Sequence, residues 1–358
     1  MDYADSPEQA TLREVVRDFC GQHAASAGLL AAGTPAASVW KRLTGELGLA
    51  GLAIGEQYGG TGAGLAEVAV AVQELARVLL PVPYLSTAVA GAVLSEGDPE
   101  VAGEFLPGLA SGELTAAFAL DAKLTARDVP ARDGWLSGPA DGPARTLISG
   151  LAGHVLDGAE AGLFLVRATN DALYVVPAEA AIVEPADTLD ETRSQATVTF
   201  WESPALATGV SAVRAESLLR ALLAAESAAA AQRCLEVTVA YLQTRRQFGR
   251  VIGSFQALKH RCADLAVQVT AARATAAAAI QACSGDPGQF GLTAALAKVY
   301  CADAFWQAAA EMVQLHGGIG FTWEHEAHRY LKRAKTTQLM LGTRGELRRL
   351  ISDLAGLR

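Results

Sequence analysis

The strongest constraint on the fold is the long helical pattern, rich in alanine, that fills residues 208–358. Alanine dominates residues 215–231 and 271–279, and the pattern is interrupted mainly near Phe248, Pro287 and Gly317. Alanine has the highest helix propensity, and its small side chain lets neighbouring helices pack closely. The pattern therefore predicts a bundle of four or five helices at the C-terminal end of the chain.

Two zones with different patterns precede this bundle. Residues 6–109 repeat apolar side chains at helical spacing, beginning with a Ser6-Pro7-Glu8-Gln9 stretch that has the form of a capping box. Residues 114–203 instead contain short apolar runs separated by turn residues, which predicts strands at 115–120, 163–166, 173–176 and 196–200. Residues 133–158 are rich in Gly, Pro, Asp and Ala, which predicts an insert made mainly of loops.

The three zones predict an α+β chain with three domains. An N-terminal helical domain occupies residues 1–113, a small β-barrel or sandwich domain occupies 114–205, and the helical bundle occupies 206–358. With 358 residues and 51% hydrophobic side chains, the chain is long enough to bury one large core or two to three smaller ones.

Composition excludes several classes of function. The net charge of -9 and the absence of a basic run argue against nucleic-acid binding. The five cysteines lie far apart without CxxC spacing, which indicates reduced thiols, no metal site and a cytoplasmic protein. The start of the chain lacks a basic signal-peptide region, and the apolar stretch at 79–95 contains Pro81 and Pro83, so no membrane span is predicted.

Three motifs indicate a family. Residues 51–62 read GLAIGEQYGGTG; residues 241–249 read YLQTRRQFG, followed by IGSFQ at 252–256; residues 313–321 read VQLHGGIGF, followed by QLMLGT at 338–343. Together they resemble acyl-CoA dehydrogenases over nearly the whole chain. This resemblance implies FAD as cofactor and α,β-dehydrogenation of an acyl-CoA thioester, with the three-domain fold that the patterns predict.

The resemblance also implies a set of residues that bind FAD. Arg245 corresponds to the arginine that grips the FAD diphosphate of a neighbouring subunit, a task suited to a planar, permanently charged fork. The other implied contacts lie in the motif at 241–249 and in the motif at 313–321 with its continuation at 338–343. They are Gln247, Phe248, Gln314, Gly317, Gly318 and Thr343. The local alternatives are a basic helix end favoured by the helix dipole for Arg245 and a helix C-cap for Gly317.

The family's catalytic base is missing. Leu341 occupies the usual position of the catalytic glutamate, and Leu219 occupies the alternative position that some relatives use. Neither leucine can accept a proton. Glu216 and Glu226 lie about one turn before and two turns after Leu219, but the simpler interpretation makes them ordinary surface or interface carboxylates. We therefore predict no catalytic residue in this chain.

Flavin-contacting elements are also altered. Residues 120–128 lack the Glu-Pro and the glycine that the family usually carries after the first strand of the β domain. Residues 138–158 show no counterpart of the family's next flavin-stacking strand. The motifs that are retained are those that reach a neighbour's FAD, and those that are lost hold a subunit's own flavin.

This division resembles actinobacterial acyl-CoA dehydrogenases built as heterotetramers, in which one chain completes the site of another. The leading hypothesis is a base-lacking subunit whose partners are a homologous chain, an acyl-CoA thioester and electron-transfer flavoprotein. One alternative is a catalytically silent thioester-binding or scaffold homologue; another is a flavin-dependent oxidase or monooxygenase. The sequence leaves open the acyl chain length, whether the substrate is a sterol or a fatty acyl thioester, the identity of the partner, and whether the chain holds its own flavin.

Overall fold

The computed structural model describes residues 5–30, 35–120, 124–129, 145–169 and 171–357. Two parts of the sequence analysis lie outside the described residues. They are residues 121–123, within the stretch that departs from the family pattern, and residues 133–144, the first part of the predicted loop insert. Within the described residues the chain has the expected order of N-terminal helices, a mixed β domain and a C-terminal helical bundle. The predicted fold class is confirmed.

Five helices form the N-terminal part: α1 (Pro7–His23), α2 (Ala36–Gly45), α3 (Leu65–Arg77), α4 (Tyr84–Ser95) and α5 (Pro99–Ser111). A two-stranded ribbon, β1 (Ala24–Ser26) and β2 (Leu29–Leu30), follows α1. The predicted capping box starts α1, since Ser6 Oγ accepts from the Gln9 amide at 3.2 Å and Gln9 Oε1 accepts from the Ser6 amide at 3.1 Å. These bonds satisfy donors that the first helical turn would otherwise leave unpaired.

The middle of the chain forms strands that all connect through one long strand. They are β3 (Ala116–Ala119), β4 (Thr125–Val129), β5 (Arg145–Leu156), β6 (Leu163–Arg167), β7 (Ala172–Pro177), β8 (Ala181–Pro185) and β9 (Gln195–Ser211). The first part of β9 pairs with β5 and β8, and its last part pairs with β7. Strand β9 therefore leaves one sheet and enters another, which is how a small sandwich shares a strand between its layers.

The prediction of a loop insert is wrong at the C-terminal end of that insert. There β5 forms a strand that pairs with β4 on one side and with β9 on the other. The sequence hides this strand for two reasons. Gly150 and Gly153 interrupt the apolar pattern, and bulges near Gly150 and His154 shift the register. His154 adopts a positive φ of 52° in the second bulge. Bulges re-aim side chains at sites next to cavities, and this one positions His154.

The C-terminal bundle contains α6 (Ala212–Thr244), α7 (Gln256–Ala282), α8 (Pro287–His316), α9 (Ala327–Leu339) and α10 (Arg344–Leu354), with a short ribbon of β10 (Arg246–Gln247) and β11 (Arg250–Val251) after α6. Helix α6 is the centre of the molecule. It is buried along most of its length and packs against α3, α4, α7 and α8. Its alanines allow this close approach from several sides, as the composition predicted.

The described part of the chain contains no helix that combines the length and the apolar composition needed to cross a membrane. The buried cysteines Cys20, Cys234 and Cys301 are free thiols.

Candidate cofactor and ligand sites

The C-terminal end of α6 carries an exposed basic hairpin. The Arg245 amide donates to the Tyr241 carbonyl at 2.9 Å and ends the helix, and β10 and β11 then fold back on each other. Phe248 occupies the hairpin tip with φ of 53°, and its side chain is 89% exposed. A bulky residue in the left-handed region costs conformational energy. The Phe248 ring meets the Phe255 ring edge to face, with the ring centroids 6.0 Å apart.

The arginines of this hairpin differ in their partners. The guanidinium of Arg250 lies 4.0 Å from the centre of the Phe255 ring. Among the described residues, the exposed side chains of Arg245 and Arg246 form no salt bridge. A free guanidinium at a helix end is a ready donor for a diphosphate. Gln247 donates from its side chain to the Arg246 carbonyl at 2.9 Å and shapes the tip.

The glycine motif at 313–321 meets the arginine motif at 241–249 at this end of the bundle. The rings of Tyr241 and His316 stack with centroids 4.3 Å apart, and the Tyr241 hydroxyl donates to the His316 carbonyl at 3.4 Å. His316 itself is buried, its Nδ1 lies 2.7 Å from the Met312 carbonyl, and burial lowers its pKa. His316 therefore packs inside this end of the bundle. The contact brings exposed Gln314 and the glycines at 317 and 318 to the same end as Arg245.

The three glycines of this motif have different reasons to be glycine. Gly317 has φ of 64°, which favours glycine at the helix end, as a C-cap requires. A Cβ on Gly320 would lie 2.7 Å from the Val313 carbonyl oxygen, so internal packing excludes a side chain there. Gly318 has neither constraint, because a Cβ would meet nothing within 4 Å. The missing side chain at Gly318 leaves room for something from outside the chain.

We expect Gly318→Ala to change the free energy of unfolding of the chain by less than about 0.5 kcal/mol, because its Cβ would occupy open space. Gly320→Ala is the matched control in the same turn. Its Cβ collides with a main-chain oxygen, so it should cost about 1–3 kcal/mol. Urea unfolding of both variants checks this. Equal losses for the two would contradict the open space at Gly318.

Exposed aromatic side chains surround this end of the bundle. Phe321 is 86% exposed and Trp323 is 68% exposed, and the Lys332 ammonium lies 4.7 Å from the centre of a Trp323 ring. Sequence reasoning missed Trp323, although an aromatic residue directly after the glycine motif was the available signal. Clustered exposed apolar groups mark interaction surfaces. This end of the bundle therefore has the composition of an interface.

A separate cavity of about 990 Å³ lies between the β domain and the bundle. Its walls are mainly apolar and include both leucines at the family's base positions. Apolar lining residues are Leu85, Phe118, Leu120, Leu156, Leu189, Leu219, Leu223, Leu339, Met340, Leu341, Leu347 and Leu350. The missed strand β5 contributes Gly153 and His154 as well. None of residues 51–62 lines this cavity; a Cβ on Gly60 would instead lie 2.1 Å from the Ile54 carbonyl oxygen, so that loop packs tightly on itself.

Two buried cations fix the backbone around Leu341. Arg220 Nε donates to the Leu341 carbonyl at 3.2 Å. Lys298 Nζ donates to the carbonyls of Gln338 at 3.1 Å and Gly342 at 2.7 Å. Leu341 has φ of 54°, a conformation that persists only when its surroundings impose it. Burial, together with the charge of Arg220, lowers the pKa of Lys298 to about 8.

Glu216 lies on the cavity wall, but arginines occupy both of its oxygens. Arg167 Nη1 donates to Oε1 at 2.7 Å, and Arg220 Nη2 donates to Oε2 at 2.9 Å. Both carboxylate oxygens are thus already engaged by guanidinium groups. The geometry therefore argues against Glu216 as a replacement base.

Glu226 is not a surface carboxylate, which corrects the simpler interpretation of the sequence. It is 5% exposed and accepts hydrogen bonds from Arg193 and from Arg333, the latter at 3.3 Å. Arg333 also binds Asp190 Oδ2 at 2.9 Å. These partners come from distant parts of the chain, so no local pattern could predict the burial. With Asp157 nearby, the cluster holds three carboxylates and two guanidinium groups. Two of the carboxylates, Asp157 and Glu226, and both guanidinium groups line a cavity of about 30 Å³, enough for one water molecule.

The cluster holds one more carboxylate than guanidinium groups, which predicts that the free energy of unfolding depends on pH. Burial raises the pKa of Asp157 to about 6, while Ser86 donates a hydrogen bond to Oδ2 at 2.8 Å. Between about pH 4 and pH 6 the folded chain therefore holds a proton that the unfolded chain has lost, so this group's contribution to stability falls as pH rises through that window.

The isosteric variant Asp157→Asn cannot titrate. We expect the free energy of unfolding of the unmodified protein, relative to this variant, to fall by up to about 3 kcal/mol from about pH 4 to pH 7. Urea unfolding at both pH values measures the difference. The contributions of the other titratable groups cancel, because both proteins contain them. A difference that is constant with pH would show that Asp157 is ionised throughout.

Thr343 does not lie in the exposed basic hairpin. It is the N-cap of α10, in a capping box with Glu346, and follows the cavity-lining residues Leu341 and Gly342. Its hydroxyl thus has a structural partner, and its cofactor role stays a prediction.

Comparisons with known proteins agree with this fold. The N-terminal domain model of acyl-CoA dehydrogenases matches residues 6–113, and the C-terminal domain model matches residues 212–355. Acyl-CoA dehydrogenase IpdE2 of Mycobacterium tuberculosis is 37% identical over 353 residues, covering 97% of each chain. Acyl-CoA dehydrogenase FadE34 of the same organism is 36% identical over 98% of this chain, which spans 48% of that relative.

Among solved structures, a chain of the ChsE4-ChsE5 complex from Mycobacterium tuberculosis superposes with a TM-score of 0.85 at 27% identity, covering 99% of both chains. A glutaryl-coenzyme A dehydrogenase structure superposes with a TM-score of 0.84 at 23% identity, a likeness of fold. Two domain models and full-length similarity to IpdE2 establish the relationship. The chain belongs to the acyl-CoA dehydrogenase family, a family of oxidoreductases that act on CH–CH groups with FAD as cofactor.

Proposed function

We propose that this chain is one subunit of a heteromeric acyl-CoA dehydrogenase, in which it completes the FAD site of a homologous chain that carries the catalytic base. The observation that carries the proposal is the separation of two sites. The exposed end with Arg245 is well formed, whereas the cavity has leucine at both base positions.

The residues at the exposed end fit FAD. The free guanidinium of Arg245 suits the diphosphate, and Phe248 and Gln247 at the hairpin tip offer apolar and amide contacts. The open space at Gly318 and the exposed amide of Gln314 allow close approach of an outside group. FAD held by these residues would supply the acceptor for the hydride that leaves the β-carbon of the thioester.

The rest of the reaction requires a group that this chain lacks. A carboxylate must take the α-proton on the face opposite the flavin, and hydrogen bonds must stabilise the enolate as it forms. Leu341 and Leu219 cannot accept that proton, and Arg167 and Arg220 neutralise Glu216. The base must therefore come from another chain.

The similarity to a chain of the ChsE4-ChsE5 complex supports assembly with a second, unlike chain. The exposed Phe321 and Trp323, at the end of the glycine motif and just after it, supply an apolar contact area for such a partner. We extend the proposal to two copies of each chain and to electron-transfer flavoprotein as the acceptor of electrons.

Co-expression tests the proposal. The chain should be purified alone and together with a homologue that carries glutamate at the position of Leu341, followed by measurement of complex mass and flavin absorbance. We expect flavin only in the complex. Flavin bound by the lone chain would favour an oxidase, a monooxygenase or a homomeric dehydrogenase. No flavin under either condition would favour a silent homologue.

A further inference from the structure

A series of three aromatic rings connects the basic hairpin to the turn at residues 319–325. The Tyr241 ring lies 4.3 Å from the His316 ring, and the His316 ring lies 4.2 Å from the His325 ring, measured between centroids. The Tyr241 carbonyl accepts the Arg245 amide at 2.9 Å, so the series starts at the base of the hairpin. The 319–325 turn is therefore tied to the same end of the bundle as Arg245.

This turn presents large apolar side chains to solvent from a fixed backbone. Ile319, Phe321 and Trp323 are all exposed. The amide and the hydroxyl of Thr322 both donate to the Ile319 carbonyl, at 3.1 Å and 2.9 Å. Several exposed apolar side chains that lie together are typical of a surface that another protein covers.

Trp323 is held in place by two neighbouring side chains. The Lys332 ammonium lies 4.7 Å from the centre of a Trp323 ring, and the His328 ring meets Trp323 edge to face with centroids 4.6 Å apart. Lys332 is itself paired with Glu191 at 3.5 Å. A tryptophan that is already positioned loses little conformational freedom when a partner covers it. Tryptophan is also among the residues that contribute most to binding at protein interfaces.

The charges beside Trp323 indicate what kind of molecule covers it. Lys332 is paired with Glu191, and the neighbouring Glu324 is exposed. Such a surface offers little attraction to a membrane or a polymer rich in phosphate, but it suits an apolar patch on a protein. Since the turn lies at the same end as Arg245, the protein that fits is the chain whose FAD Arg245 would reach. A second copy of this chain fits less well, because it too has leucine at both base positions.

We propose that Trp323 is the main anchor by which this chain binds its homologous, base-bearing partner, and that Lys332 and His328 position the Trp323 ring. This inference rests on the proposed function for the identity of the partner. It adds a separation of roles at one end of the bundle: Trp323 governs how tightly the two chains associate, and Arg245 governs how tightly FAD is bound.

Subunit exchange tests the anchor. Fluorescently labelled copies of this chain in the co-expressed complex should be mixed with an excess of unlabelled complex at saturating FAD, and the exchange rate followed by energy transfer. We expect Trp323→Ala to speed exchange at least about tenfold, since interface substitutions act mainly on dissociation. Trp201→Ala is the matched control, because Trp201 is 82% exposed on β9 in the β domain. It should change the rate less than about threefold.

A double-mutant cycle tests the positioning of the ring. Lys332→Met should speed exchange of the unmodified complex at least about threefold, but it should have little further effect in the Trp323→Ala complex. An equal effect in both backgrounds would overturn the positioning role, because Lys332 would then act through its pairing with Glu191 or through its own contact with the partner.

Flavin absorbance of the same complexes separates this inference from the proposed function. An exchange rate that Trp323→Ala leaves unchanged, in a complex that contains flavin, would overturn the anchor alone. A complex without flavin whose exchange still depends on Trp323 would support the anchor and overturn the proposed function. Self-association of the lone chain that Trp323→Ala abolishes would overturn the assignment to a homologous partner, and chains that never associate would overturn both proposals.

Discussion

The purified chain alone should reduce no acceptor dye with any saturated acyl-CoA, and Leu341→Glu should add at most weak activity. A positioned base contributes about 10²–10⁴ to the rate, but only beside a positioned flavin. The new carboxylate would also lie next to Arg220, which binds the Leu341 carbonyl. An adjacent guanidinium lowers a carboxylate's pKa and weakens it as a base.

Steady-state reduction of an acceptor dye, with acyl-CoA substrates of several chain lengths, measures the dehydrogenase activity. The lone chain and its Leu341→Glu variant should stay at the background rate, while the complex with a glutamate-bearing partner should exceed it at least about 100-fold. Leu341→Gln serves as the matched control, since it adds a polar group of the same size without a base. Robust turnover by the unmodified lone chain would show that a base exists elsewhere, with Glu216 and Glu226 the first positions to mutate.

Arg245→Ala should weaken FAD binding to the assembled complex by a few kcal/mol at most, or about tenfold to a hundredfold. The reason is the loss of a charge-assisted pair with the diphosphate in a partly desolvated interface. Arg245→Lys should restore only part of the affinity, because an ammonium cannot bind two oxygens in parallel.

Fluorescence titration of the flavin-free complex measures the affinity. Arg250→Ala is the matched control, since it removes the same charge from the same hairpin, but from a side chain already packed on Phe255. Its effect should be a fraction of that of Arg245→Ala. If Arg245→Ala binds FAD as tightly as the unmodified complex, the assignment of Arg245 is wrong.

The helical parts of the fold were predictable because their periodicity is local. The capping box at Ser6 and the alanine-rich α6 could be predicted from neighbouring residues alone. Strand β5 could not, since Gly150, Gly153 and the bulge at His154 break the alternation that marks a strand. Its pairing depends on β9, which lies far along the chain.

The candidate sites divide in the same way. Arg245, Phe248 and Gly318 belong to short motifs, so the sequence was sufficient to select them. The cluster of Glu226 with Arg193 and Arg333 joins three distant segments. A single sequence gives no sign of such a cluster, and this is why Glu226 was expected at the surface.

The loop at Leu341 has an evolutionary consequence. Lys298 and Arg220 hold its backbone through main-chain carbonyls, so the conformation depends little on the side chain at position 341. After a gene duplication, one copy could lose its carboxylate there without a loss of folding, provided that the other copy kept its own. The proposed division of labour between two chains could then begin with one side-chain change, and selection could act on each copy separately.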